Sequence, residues 1–325
     1  MVVILSGEDD EHLPFVTRHF KDKYVLIDAQ KVVDGCGLTY EVDGGSLAIK
    51  YGQQRLEDVT GVWLRRPRNA FRELNIPVEA RTIDYARTAL DAHLRQLHAH
   101  FQTAIWMSRW YELERANNKT LQMLEAFHVG FNVPPACFTS DPKDAAAFVA
   151  RKPAAVVKSQ AYRFPNPKKR KPLLMFFTQK LRADEKINYE GLRVAPAIFQ
   201  QAIEPDFDIR VTVVGGAVFA ASITMTHVST QSPVRDWRIG TNEELVIKAY
   251  TLPKTIARKC IFLTKKLGLN FGAIDLVQDK QGKAWFLEIN PNGQWAFIEE
   301  KTGQPIGRAI AALLEARNVG VPSLG

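Results

Sequence analysis

The chain has little cysteine: Cys36, Cys137 and Cys260 are the three in 325 residues. They stand far apart, odd in number, with no second thiol at metal-ligand spacing. Neither a disulfide framework nor a structural zinc site is indicated, and buried bystander thiols are expected. Long apolar runs are missing too, since no window approaches the ~18 apolar residues of a membrane span. The opening MVVILSGEDDEH sets a short apolar stretch directly against acids. That is too short and wrongly flanked for a signal peptide and reads as a first buried strand, which makes the cytosol the expected location and a membrane partner unexpected. Neither common phosphate cradle is present: there is no GxxxxGK followed by Ser or Thr, and no GxGxxG after a strand. No Ser/His/Asp pattern has supporting context, and His93, His98 and His100 fall on the expected polar side of a helix, where solvation is the simple reading.

What is there is the composition of a globular protein, 46% hydrophobic and 24% charged, large enough for two or three domains with sizeable cores. The net charge of +8 suits an anionic partner, and nucleotide phosphates, an acidic peptide or nucleic acid would all qualify.

Patterning divides the chain into three parts. Residues 1–115 carry candidate strands at Val2–Leu5, Tyr24–Asp28, Leu47–Tyr51 and Gly61–Leu64 with helix or loop between them, as in a small α/β domain. Ile76 to Ala104 has apolar residues at helical spacing and reads as one long helix. Residues 116–200 open on a helix, Thr120–Phe127, capped by Asn117-Asn118-Lys119 and stopped at Gly130. A small helix at Asp144–Ala150, the strand Ala155–Lys158 and the loop RFPNPKKRKP follow, with a further strand expected at Leu173–Gln179. Residues 201–325 take up the strand Ala197–Ile203 near its end and continue with Ile209–Val214 and Ala217–Ile223, joined by a Gly215-Gly216 hairpin. Helix Pro253–Leu267, the hairpin Gly272–Gln278 with Ala284–Ile289, and a terminal helix Pro305–Ala316 complete the reading.

The last hairpin holds the chemistry. If Lys280 to Lys283 form a four-residue turn, Asp279 faces Ala284, Asp275 lies opposite Glu288, and Asn290 sits two residues on along the same face. Two carboxylates in an apolar hairpin repel unless a cation lies between them, and oxygen-only ligands suit magnesium. Alternation alone would equally allow these residues a solvated face. Lys158, ending an apolar strand, could hold phosphate oxygens or be a surface lysine. Lys119 at a helix start needs an anionic partner, because the helix dipole disfavours a cation there. In FQQAIEPDFDIR, Phe199 to Arg210, an apolar strand runs into groups fit for a purine edge and then into Glu204, Asp206 and Asp208, fit for a ribose or for a solvated turn. Arg210, and Arg238 of DWR, are candidate clamps for phosphate or carboxylate oxygens.

Taken in order, Lys119, Lys158, FQQAI, DIR, Asp275, Glu288 and Asn290 resemble the ATP-grasp ligases. SGEDDEH (Ser6 to His12), WLRRP (Trp63 to Pro67), VTVVGGAVFAASI (Val211 to Ile223), DWR (Asp236 to Arg238), LGLNFGAIDL (Leu267 to Leu276) and FLEINPNGQWAFIEEKTGQPI (Phe286 to Ile306) narrow the resemblance. They are similar to the microviridin-type subgroup, the graspetide synthetases, over nearly the whole chain. The resemblance implies an N-terminal α/β domain, a small central lid domain and a C-terminal α+β domain, with ATP between two antiparallel sheets. It implies acyl phosphate formation on an acidic side chain of a ribosomal precursor peptide. Ester or amide links to Ser, Thr or Lys then follow, with release of ADP and phosphate. Two magnesium ions would be held by Asp275, Glu288 and Asn290. Lys119 and Lys158 would hold phosphates, Gln200, Gln201 and Ile203 the adenine, Asp208 the nucleotide, and Arg210 and Arg238 the acyl phosphate. Asp236, Trp237, Lys168, Lys169, Arg170 and Lys171 are candidate peptide contacts. The lid loop departs from the small-residue pattern of these ligases and could instead serve an acidic peptide, nucleic acid or solvent. A ligase adding amino acids to a peptide end is the alternative enzyme, and a homodimer is left open. A nucleic-acid-binding protein is disfavoured, because no aromatics interleave with the lysines.

Overall fold

The computed structural model describes residues 1–65, 79–160, 178–181, 187–225 and 245–316. The expected peptide contacts Lys168, Lys169, Arg170, Lys171, Asp236 and Trp237, and the candidate clamp Arg238, lie outside them. So does the start of the helix expected from Ile76.

The first part contains β1 (Val2–Leu5), α1 (Leu13–Thr17), β2 (Tyr24–Ile27), α2 (Ala29–Val33), β3 (Leu38–Asp43), β4 (Ser46–Tyr51), β5 (Gln54–Arg55), β6 (Gly61–Leu64), α3 (Ala80–Arg95), α4 (Leu97–His100) and β7 (Ile105–Trp106). Strands β2, β1, β6 and β7, in that order, pair in parallel. Continuous apolar runs such as VVIL suit a parallel sheet covered on both faces. Period-two alternation sends Val2, Ile4 and Trp63 to one core and Val3, Leu5, Val62 and Leu64 to the other. The strand at Leu47–Tyr51 does not join this sheet; it is the middle of a separate antiparallel one, β3-β4-β5.

The single long helix expected to Ala104 is broken. It pauses at Gln96 and ends at Phe101, whose carbonyl accepts from Trp106 Nε1 at 2.8 Å. Of the helix histidines, His100 is exposed as expected, whereas His93 and His98 are half-buried. His93 Nε2 lies 2.6 Å from the Leu38 carbonyl oxygen, and His98 meets the rings of Trp106 and Tyr111 edge-on. The strand β3, which polar alternation hid in the sequence, covers His93.

Next come α5 (Trp110–Ala116), α6 (Lys119–His128), β8 (Ala136–Thr139), α7 (Pro142–Ala150), β9 (Ala155–Ser159), β10 (Gln179–Leu181) and β11 (Ala197–Gln201). They include a small antiparallel sheet ordered β10-β9-β11-β8. The last part has β12 (Pro205–Val214), β13 (Ala217–Met225), β14 (Leu245–Ala249), α8 (Lys254–Lys266), β15 (Phe271–Asp279), β16 (Ala284–Asn290), α9 (Ala296–Thr302) and α10 (Ile306–Glu315). Its sheet is antiparallel in the order β14-β13-β12-β15-β16. Ile209, Val211, Val213, Ile274, Phe286 and Ile289 face α8 on one side. On the other side, Val214, Ala221, Ile223, Phe271 and Ala273 share a core with β1, α1 and α10. The first and last parts therefore have one hydrophobic core in common. Cys260 is buried, and desolvation pushes its thiol up to about 12; Cys36 and Cys137 are half-buried. Among the described residues, no helix is long and apolar enough to cross a membrane.

Two glycines allow α10 to seat. A Cβ on Gly307 would lie 2.1 Å from the Phe15 carbonyl oxygen, and one on Gly61 2.2 Å from that of Leu314. Both obstacles are backbone, so neither can rotate away. Gly307→Ala and Gly61→Ala should each destabilise the protein by about 1–3 kcal/mol, read as a lower urea midpoint. Gly216→Ala, with open space around it, should shift it by less than about 0.5 kcal/mol.

Candidate active site

The hairpin expectation is met by a different ladder. Gln278, not Asp279, pairs with Ala284, and that register alone would have put Leu287 opposite Asp275. A bulge between the Leu276–Phe286 and Asp275–Glu288 pairs makes Leu287 the extra residue. The bulge reverses the facing of all that follows. Phe286 and Ile289, three apart, both enter the core under α8, while Glu288 and Asn290 join Asp275 on the opposite face.

Five polar side chains meet there. Arg210 Nη1 donates to Asp275 Oδ1 at 2.7 Å, and Lys119 Nζ donates to Glu288 Oε2 at 2.7 Å. Asn290 Nδ2 lies 3.3 Å from Asp275 Oδ2 and 3.2 Å from Glu288 Oε1. Each carboxylate thus gives one oxygen to a cation and the other to a shared amide. The cations expected between the acids are, in part, the protein's own.

Each cation has a reason to be where it is. Asn118 caps α6 by accepting from Leu121 N at 3.0 Å, which places Lys119 at the first helical position. One turn on, the buried Gln122 donates from Nε2 to the Ile289 carbonyl at 2.8 Å, and Ile289 N donates to its Oε1 at 3.2 Å. Strand β16 is a sheet edge, and this amide does there what a neighbouring strand would do, between Glu288 and Asn290. Gln122 went unnoticed in the sequence, where its one signal is a glutamine within a largely apolar helix.

Arg210 is 6% exposed in its side chain and pairs with Asp275 across the β12–β15 ladder. Its Nη2 donates to the Gln294 carbonyl at 2.8 Å. Gly293 is required beside it, because a Cβ there would lie 2.8 Å from Nη2 and 2.5 Å from the Ala273 Cβ. Arg210 Nε and the hydroxyl of Thr212, two residues along the same face, are buried without hydrogen-bond partners among the described residues.

The exit loop is gripped by the first sheet. Trp295 N donates to His12 Nε2 at 3.1 Å, which assigns the ring proton to Nδ1, 2.8 Å from Asp10 Oδ1. Arg65 Nη1 donates to the Asn292 carbonyl at 2.5 Å, and Asn292 Nδ2 donates to the carbonyls of Leu64 and Arg65 at 3.0 and 2.9 Å. Burial would raise the Asp10 carboxyl, but the His12 hydrogen bond and the Arg65 charge outweigh it and hold the group well below the usual range. Burial, aided by the Arg65 charge, lowers His12 against the pull of Asp10 and Glu11.

On the small sheet, Lys158 Nζ donates to Gln200 Oε1 at 2.8 Å across β9 and β11. Gln201 ends that sheet, and Ile203 lies in the connection to β12; both are half-buried. Asp208 is half-buried opposite Val277, on the Arg210 face. The structure therefore brings Lys119, Arg210, Asp275, Glu288 and Asn290 into one cluster and makes Lys158 and Gln200 a second pair.

An oxygen donor set of two carboxylates and one amide fits magnesium, which keeps waters and takes phosphate oxygens rather than needing an all-protein cage. Among the described residues, no group of three His, Cys, Asp or Glu side chains could form such a cage.

No family model matches the chain, and none of the curated proteins compared with it does. Solved structures match over nearly all of it. A RiPP-associated ATP-grasp ligase of Chryseobacterium gregarium, in complex with ADP and a leader and core peptide, is 22% identical with a TM-score of 0.85, covering 96% of each chain. Macrocyclase MdnC of Microcystis aeruginosa MRC, bound with precursor peptide MdnA, is 25% identical with a TM-score of 0.79, covering 96% of this chain and 98% of that one. ATP-grasp ligase PsnB, complexed with minimal precursor, Mg and ADP, is 20% identical with a TM-score of 0.72, covering 97% of each.

His12 gives the grip a pH dependence with a definite sign. Its folded pKa lies below the ordinary value of about 6.5, so in that interval the unfolded chain binds more protons and stability rises with pH. The contribution is complete above pH ~6.5 and is lost as pH falls through the folded value. Denaturation midpoints should therefore drop on acidification below pH ~6.5, and His12→Gln should flatten that slope.

Proposed function

We propose that this chain, which has the ATP-grasp fold, is an ATP- and magnesium-dependent ligase that cross-links a ribosomal precursor peptide. The observation that carries the reading is the convergence of Asp275, Glu288, Asn290, Lys119 and Arg210 on one face of the last sheet. Support for the peptide comes from MdnC, 25% identical over almost the full length and bound with its precursor.

Asp275, Glu288 and Asn290 would hold magnesium, which supplies charge neutralisation at the phosphate oxygens of ATP. Lys119 and Lys158 bind phosphates, Gln200, Gln201 and Ile203 the adenine, and Asp208 the ribose. An acidic side chain of the peptide attacks the γ-phosphorus, the bond to the bridging oxygen breaks, and ADP leaves. Arg210, with Arg238, steadies the acyl phosphate. A Ser or Thr hydroxyl or a Lys amine then attacks the acyl carbon, the bond to phosphate breaks, and the nucleophile's proton leaves with phosphate or solvent. Positioning and charge neutralisation suffice for this chemistry, so no protein nucleophile is needed. Asp236, Trp237 and the basic run Lys168, Lys169, Arg170 and Lys171 are assigned to the peptide, whose acids the run would attract.

Coexpression with each short reading frame encoded beside its gene, followed by intact mass of the products, tests the function. One water lost per bond is expected. Gain of a residue mass would make the enzyme an amino-acid-adding ligase, and steeply salt-dependent RNA binding without ADP release would remove it from the enzymes. Asp275→Ala and Glu288→Ala should each lower peptide-dependent ADP release by about 10²-fold or more; unchanged turnover would sink the metal assignment.

A further inference from the structure

Two sequence motifs take no part in the chemistry above, yet their buried polar side chains converge on one short segment. Ser6 Oγ donates to Asp10 Oδ2 at 2.9 Å, Asp10 receives both His12 N and Nδ1, and His12 Nε2 receives Trp295 N. From β6, Arg65 reaches the Asn292 carbonyl, and the Asn292 side chain reaches back to two β6-end carbonyls. Asn292 and Trp295 are thereby pinned to the first sheet. Between them lie Gly293, against which the Arg210 guanidinium packs, and Gln294, whose carbonyl that guanidinium binds.

We infer that Asp10, His12 and Arg65 are positioning residues of the ligase, a latch on the first sheet that sets the Gln294 carbonyl and through it the direction of Arg210 against Asp275. The inference rests on the proposed reading of Asp275 as a magnesium ligand, whose carboxylate Arg210 holds in place. Its physical basis is that a four-residue segment fixed at both ends has almost no freedom to move its inner carbonyl. Arg210 has two anchors, Asp275 Oδ1 at 2.7 Å and Gln294 O at 2.8 Å, and a displacement of about 1 Å at either would turn the guanidinium off the other. Stability is a poor explanation for such a cluster, because buried ionic groups add little over well-packed apolar residues of the same volume. What they add is direction. His12, Asp10 and Arg65 are each nearly or fully buried, and Trp295, fully buried against the edges of His12 and Phe15, seals them from water.

A double-mutant cycle on the full chain tests this without a peptide. The affinity for ATP is titrated calorimetrically with and without Mg2+ in wild type, His12→Ala, Arg210→Ala and the double variant, with Asp275→Ala alongside. We expect His12→Ala to weaken the magnesium-dependent part of ATP affinity by about tenfold and to have no further effect once Arg210 is gone, the non-additivity of groups acting through one contact. His12→Gln, which keeps an acceptor for Trp295 N, should restore most of the loss. If His12→Ala is too unstable to titrate, Arg65→Lys carries the same cycle. Additive effects, or wild-type affinity in a folded His12→Ala, would overturn the latch while leaving the site intact. If Asp275→Ala keeps full magnesium-dependent affinity, the site reading itself fails and the latch falls with it.

Discussion

Two carboxylates placed opposite each other on one face of a β-ladder repel, and in an apolar sheet that repulsion is poorly screened. Much of the molecule around Asp275 and Glu288 answers this constraint. Arg210 comes from the neighbouring strand of the same sheet, Lys119 from a helix laid along the sheet edge, and Asn290 bridges the two acids with one amide. The two acids are thus matched by two cations, which come from two separate elements, β12 and α6. Helix α6 is held to β16 by Gln122, so the same contact that closes a sheet edge also delivers Lys119. Under the proposed function, a triphosphate entering such a cluster would meet two cations now paired to the acids, and the acids would then carry metal.

The face that bears these groups is divided. Toward one end of β12 and β15 it is the hydrophobic core shared with α1 and α10, through Val214, Phe271 and Ala273. Toward the other it is the polar cluster from Arg210 onward. Thr212 sits at the border, fully buried, its hydroxyl without a hydrogen-bond partner among the described residues, and the large core lies directly alongside. The same adjacency lets the first sheet act on the site, since β1, β6 and the loop after β16 border one continuous core.

Much of the strand order was legible because parallel strands are uniformly apolar and hairpins carry glycine: Val2–Leu5, Gly61–Leu64 and the Gly215-Gly216 turn each announce themselves. Strand β3, LTYEVD, did not, because a half-exposed antiparallel strand with polar alternation resembles a loop. The solvated reading fails for His93 for the same reason, since β3 covers it, and for His98 because Trp106 and Tyr111 do; His100 is exposed as expected. The meeting of Asp275 with Glu288 was legible from alternation, but by a ladder one residue out of register. Two deviations, a longer turn and a bulge at Leu287, cancel. A bulge leaves no local signature in FLEINPNGQW beyond Phe286 and Ile289 being three apart, which a strict two-residue period cannot put on one face.

The long-range contacts were the least legible. SGEDDEH and WLRRP stood out only by likeness, and nothing in their spacing says that His12 meets Trp295 across 283 residues. Lys119 on Glu288 and Gln122 on Ile289 likewise join residues more than 160 apart. A polar residue buried by tertiary structure is chosen for a partner the local sequence does not contain, and propensity is blind to it. The same property makes such residues informative once the fold is known. Hydrophobic burial would satisfy the space around Trp295 at least as well as an aspartate, a histidine and an arginine do. Their presence therefore argues for a fixed direction in the Asn292 to Trp295 backbone, and the group that direction serves is Arg210.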